Sequence, residues 1–135
     1  MSRERGTEER RRAESLGLSA ETRAAWVLRL GFHRILAHRF RCSAGEIDLV
    51  ARRGRTLVFV EVKARDTLVA AIEAVTPRAR TRILAAADAF VARRPDLADL
   101  DRRFDIVAVL PGRWPKHLAD AFRADDCDLP HRPAR

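Results

Sequence analysis

Gly45-Glu46-Ile47-Asp48-Leu49-Val50 and Leu57-Val58-Phe59-Val60-Glu61-Val62-Lys63 are two apolar runs flanking the basic segment Arg52-Arg53-Gly54-Arg55. Runs of this kind around a glycine read as a β-hairpin, with Gly54 as the turn residue. Successive side chains on a strand point to opposite faces. Glu46 and Asp48 therefore share one face of the first strand, and Phe59, Glu61 and Lys63 share one face of the second. A turn closed at Ala51 or Arg52 sets Asp48 across from Phe59 and diagonal to Glu61. Two acids and a lysine then meet at the far end of the hairpin. The other face, Ile47, Leu49, Val58, Val60 and Val62, is apolar and belongs in a core.

Ionisable groups among so many valines are costly unless something compensates them. A hard divalent cation such as magnesium, with manganese as its substitute, takes oxygen ligands, and two carboxylates on neighbouring strands can hold one together with waters. The alternative is a solvated Glu61–Lys63 pair at a strand end with a structural role.

The 135 residues suit one domain with a real core. Apolar residues make up 47% and charged residues 34%, an ordinary globular balance, but the formal net charge is +8. Lysine occurs only at Lys63 and Lys116, so arginine supplies almost all the positive charge. A basic domain lacking an apolar membrane-spanning run points to an anionic partner, nucleic acid before others. Arginine bias with a solvated surface is the competing account. Cys42 and Cys127 have no metal-ligand spacing, and Met1-Ser2-Arg3-Glu4-Arg5 opens no signal peptide; a reducing, cytoplasmic setting is expected, with no membrane partner.

Residues 1–18 read as a flexible charged tail around Glu8-Glu9-Arg10-Arg11-Arg12, residues 19–123 as the domain, and residues 124–135 as a second flexible tail. Ser19 caps a helix over Ala20–Leu30 that Gly31 should stop. Residues 32–41 read as a strand, with His33 and His38 on opposite faces and both at the surface. Residues 64–76 form a loop or short helix. Thr76-Pro77 opens a long helix to about Arg94, with Ile83, Leu84, Ala87, Phe90 and Val91 as its apolar stripe. Arg78, Arg80 and Arg82 make its other face, a candidate phosphate rail. Phe104–Leu110 is a central strand, and Leu118–Phe122 an optional edge strand. The order is α-β-β-β-α-β: an α/β fold with a mixed sheet, a helix on each side and a right-handed crossover.

Taken in order, Gly45–Ala51, Leu57–Lys63, Ala74-Val75-Thr76-Pro77 and Arg103–Val109 resemble the YraN-like family of uncharacterised bacterial proteins, over roughly Ser19 to Phe122. That family is similar to the restriction-endonuclease-like superfamily, whose signature is an acid followed on the next strand by (Asp/Glu)-x-Lys, and lies nearest archaeal-type Holliday junction resolvases. The resemblance implies a metal-dependent endonuclease, or a nuclease-derived DNA-processing protein, hydrolysing phosphodiester bonds, with branched DNA as one substrate. Asp48 is then the signature acid, and Glu61-Val62-Lys63 the Glu-x-Lys. Asp48 and Glu61 would bind magnesium, with the Val62 carbonyl as an extra ligand, and Glu21 would complete the metal site. Lys63 would orient the attacking water or stabilise the oxyanion. Glu46 would rim the site. Arg78, Arg80 and Arg82 would grip nucleic acid, and relatives of this kind often form homodimers. Two departures stand out. The usual Gly-Glu is Ala20-Glu21 here, and the usual lysine-glutamine pair is Ala79-Arg80. They leave room for a second reading: a non-catalytic nucleic-acid-binding or assembly module that retains the nuclease fold.

Overall fold

The structure is a computed structural model and describes residues 19–127. The expected tails at 1–18 and beyond 127 lie outside the described residues. In chain order the elements are α1 (Ala20–Leu30), β1 (Arg34–Cys42), β2 (Gly45–Arg53), β3 (Thr56–Ala64), α2 (Leu68–Ala74), α3 (Pro77–Arg93), a short 3-10 turn (Pro95–Leu97), β4 (Asp101–Val109), β5 (Lys116–Phe122) and a second 3-10 turn (Ala124–Cys127). The strands form one sheet in the order β1-β2-β3-β4-β5. Every pairing is antiparallel except β3 with β4. A parallel pair needs a crossover connection, and α2 and α3 supply it. The expected mixed sheet with a helix on each side is present, with α2 and β5 filling the optional positions.

The helices start where their caps predict. Thr22 N–H donates to the Ser19 hydroxyl at 3.2 Å, and Ala79 N–H to the Thr76 hydroxyl at 3.1 Å, each satisfying an otherwise orphaned donor. Pro77 takes the first turn of α3, where its missing N–H costs nothing. α1 stops at Gly31 as expected, but the left-handed residue comes one position later. Gly31 is the C-cap at φ −88°, and the left-handed residue after it is Phe32, at φ 66°. Phe32 N–H donates to the Arg29 carbonyl at 3.0 Å and His33 N–H to the Leu28 carbonyl at 2.9 Å. That is a Schellman closure with a phenylalanine where glycine is favoured.

Both faces of the sheet are covered. On one side α1 sets Ala24, Ala25 and Leu28 against Leu49, Ala51, Val58, Val60 and Val107; the alanines let the helix approach closely. On the other, α3 sets Ile83, Ala87 and Phe90 against Val50, Phe59, Phe104 and Phe122. Phe59 stacks on Phe104 and Phe104 on Phe122, each pair with centroids 5.4 Å apart, and Phe90 meets Phe59 edge-on at 6.0 Å. Such pairs add about 0.5–1.5 kcal/mol each beyond the area they bury. The apolar face predicted for the hairpin is therefore split. Leu49, Val58 and Val60 lie under α1, with Val62 packed at the margin, but Ile47 joins the α3 side. Opposite this part of β2, β1 is kinked at Arg39, φ 49°.

His33 is not at the surface. It is 5% exposed, whereas His38 is exposed as expected. His33 Nδ1 donates to the Leu28 carbonyl at 3.1 Å, which leaves Nε2 to accept from Arg103 Nη2 at 2.8 Å. Arg103 also grips the fully buried Asp105 with two donors, at 2.9 and 2.7 Å. His117 Nε2 and the Asp120 N–H complete the carboxylate's partners at 2.6 and 2.9 Å. Burial would raise the Asp105 pKa, but the bonds from His117, Arg103 and Asp120 outweigh it and hold it below its ordinary value. This buried network ties the end of α1 to β4 and β5.

Candidate active site

The hairpin turn is tighter than the sequence suggested. Arg53 pairs with Thr56, so the loop is Gly54-Arg55, with Gly54 at φ 59°. A two-residue loop of this kind requires a residue able to take positive φ, and glycine does so without strain. The tighter loop shifts the register by two residues from the expected one. Val50, not Asp48, faces Phe59, and Leu49 faces Val60. Continued by one residue, that register puts Asp48 directly opposite Glu61 instead of diagonal to it.

Main-chain pairing between β2 and β3 ends at Leu49 and Val60. Past that point the Val62 N–H donates to Asp48 Oδ2 at 2.7 Å. The carboxylate replaces a main-chain acceptor, and the parted strands form a notch. Glu61 lies in this notch with its side chain 14% exposed, sharing a hydrogen bond with Asp48, and Lys63 Nζ lies 3.5 Å from Glu61 Oε1. Burial above all, then the hydrogen bond and charge of Asp48, pushes the Glu61 pKa up to about 8, against the opposing pull of Lys63. Burial beside Asp48 thus favours the protonated form of Glu61 in the metal-free fold. Like charges this close rarely both ionise unless a cation intervenes.

Of the expected site residues, Asp48, Glu61 and Lys63 come together. Glu21 is held by Arg39, whose Nε donates to Glu21 Oε2 at 2.9 Å. Among the described residues no three His, Cys, Asp or Glu side chains converge as a metal cluster. Glu46 is exposed and faces Arg41 at 3.5 Å, a rim position. Arg39 is the residue that sequence reasoning missed. Its hydrogen bond and charge pairing with Glu21, and then the nearby charges of Glu46 and Asp48, raise its pKa above the ordinary value. Its left-handed backbone, unusual for arginine, leaves no mark in a sequence.

The three arginines of α3 do not form one rail. At about 100° per residue, Arg78 and Arg82 share a face and Arg80 turns away from it. Arg78 and Arg82 are exposed. Arg80 donates to the Val75 carbonyl at 3.1 Å and lies over the Phe122 ring at 5.4 Å. Gly45 lets α3 reach the hairpin: a Cβ there would meet Arg82 Cβ at 3.3 Å. A separate cavity of about 550 Å³, lined by Thr56, Asp88, Arg102 and Phe104 among others, lies at the opposite end of β3 and contains none of these acids. No described helix is long and apolar enough to cross a membrane.

Two carboxyls backed by a lysine offer hard oxygen donors of the kind magnesium takes. Comparison with known proteins gives the family without a chemistry. Residues 20–109 match the model of uncharacterised protein family UPF0102. A UPF0102 protein of Parvibaculum lavamentivorans is 55% identical over 111 residues, 82% of this chain and 84% of that one. Relatives in Chelativorans and Brucella canis, also UPF0102 proteins, are each 54% identical, over 85% and 87% of this chain and 93% of theirs. The match covers the hairpin, α3 and β4, and the chain belongs to the UPF0102 family, the YraN-like proteins.

Proposed function

We propose that this protein is a metal-dependent endonuclease of the restriction-endonuclease-like kind, related to archaeal-type Holliday junction resolvases and acting on DNA. The observation that carries the reading is the Asp48–Glu61–Lys63 notch, where a half-buried acid keeps its proton beside a second acid. Strongly perturbed acids cluster at functional sites, where burial and like charges are arranged to shift them. Asp48 and Glu61 would hold magnesium or manganese. When bound, such an ion supplies a water of lowered pKa and neutralises charge on a phosphate. Lys63 would orient that water or stabilise charge developing on the phosphate. Glu21, held by Arg39 here, would be a further ligand if Arg39 moved to a phosphate oxygen. Arg78 and Arg82 grip the flanking backbone without reading sequence.

A second reading, a nucleic-acid-binding module without turnover, draws on Arg80. The position that carries glutamine in relatives of the resolvase kind is committed here to packing on Phe122. Purified protein incubated with four-way, flapped and single-stranded DNA, with and without magnesium, separates the two. Metal-dependent strand cleavage that disappears in Asp48→Asn supports the nuclease. Binding without cleavage by either metal supports the module.

A further inference from the structure

The end of α1 carries an exposed apolar surface. Trp26 is 52% exposed, Leu30 63% and Phe32 85%. Trp26 and Leu30 are one helical turn apart and so share a face. The Arg29 guanidinium covers one side of the Trp26 ring at 5.5 Å. Phe32 follows at the left-handed position of the helix stop, a conformation that disfavours any side chain. The same stop turns His33 inward to Arg103 and Phe32 outward. Glycine at position 32 would close the helix at lower conformational cost, so the fold gains nothing evident from the ring. A strained, exposed aromatic residue is an observation from which function is properly inferred.

Charge identifies the occupant. From Thr22 to Gly45 the chain has no acidic residue and five arginines, at Arg23, Arg29, Arg34, Arg39 and Arg41. Arg29 lies over the Trp26 ring, and Arg39, paired with Glu21, lies within electrostatic reach of Asp48. A second copy of this surface would bring arginine against arginine. Aromatic rings interleaved with arginines suit bases stacking on the rings while phosphates meet the guanidinium groups.

We propose that Trp26 and Phe32 form a stacking platform for unpaired bases of a single-stranded nucleic acid segment, leading from the cleavage site along α1. The proposal rests on the nuclease reading and adds the substrate feature: unpaired nucleotides running along α1, away from the phosphate under attack. The chain has two tryptophans, so Trp114→Phe leaves Trp26 as the sole reporter. In that background an oligothymidylate should quench Trp26 emission, and an abasic oligomer of equal charge and length should not. Phe32→Gly should weaken oligothymidylate binding on the order of tenfold, the loss typical of one stacked base, without lowering the melting temperature. Equal quenching by the abasic oligomer, or unchanged affinity in Phe32→Gly, overturns the platform while leaving the nuclease standing. Absence of binding to any nucleic acid removes both. Trp26 emission already blue-shifted in the free protein marks a ring covered by protein and also overturns the proposal.

Discussion

Glu61→Gln replaces the half-buried acid with a neutral side chain of the same shape. The Glu61 pKa moves from an ordinary 4.5 to about 8 on folding. At about 1.4 kcal/mol per tenfold change, ionising it in the metal-free fold costs at most about 5 kcal/mol. Relaxation and water entry into the notch bring that to about 3 kcal/mol, or roughly 10 °C of melting temperature for a domain of this size. The folded state holds the extra proton, so the parent is favoured below the unfolded pKa. It loses that advantage as pH rises from about 4.5 through about 8. The introduced amide does not titrate, so the variant should lack this slope and should melt several degrees above the parent at pH 8.5. Urea or thermal unfolding from pH 5 to 9 measures the difference. Magnesium should restore several degrees to the parent at pH 7.5 and none to the variant. Its binding at pH 7 should release protons into weakly buffered solution, because the ion displaces the proton that Glu61 holds. Parallel pH profiles for parent and variant would refute the reasoning, because the notch would then not confine a proton.

Three further outcomes follow from the same geometry. Asp48→Asn keeps an acceptor for the Val62 N–H but removes the charge beside Glu61; it should abolish magnesium stabilisation and cleavage, whereas Asp48→Ala should also lose about 1–3 kcal/mol in unfolding experiments through the unpaired N–H. Asp105→Ala breaks a fully buried carboxylate from Arg103 and His117 and should destabilise by about 3–5 kcal/mol in chemical denaturation, with no change in magnesium affinity by calorimetry. Replacing Arg78 and Arg82 together should lower the salt slope of DNA binding by about 1.4–1.8, measured by fluorescence anisotropy, whereas Arg80→Ala should chiefly lower the melting temperature.

The hairpin was legible because alternation and Gly54 are local signals. Asp48 and Glu61 come together as the two-residue period suggested, although that period fails beside them, where Ile47 and Leu49 lie on opposite sides of the sheet. Register was not legible to better than two residues, because it depends on which four residues close the turn. The division of α3's arginines was available from the helical period, since Arg80 lies about 200° from Arg78. Asp105 also left a trace: a carboxylate within Phe104-Asp105-Ile106-Val107 must find partners, and Arg103 stands two residues away. Which partners they are depends on bringing His33 and His117 together across 84 positions of chain, and no local rule predicts that. Arg39 and Phe32 left no trace at all, because positive φ at a residue other than glycine is imposed by tertiary structure.

The kink at Arg39 has a counterpart on the far side of the sheet. Asp120 in β5 also adopts a left-handed backbone, φ 54°, beside a register shift opposite Phe104 and Ile106. β1 has a similar shift between Ile35 and Ala37. These are the two outer strands, whose free main-chain groups would otherwise template another chain. Interrupted twice on one margin and once on the other, neither edge presents a long straight ladder. Copies of this protein are thereby discouraged from joining sheet to sheet into fibres, even at the high local concentrations that a polyanion imposes on basic proteins crowded along it.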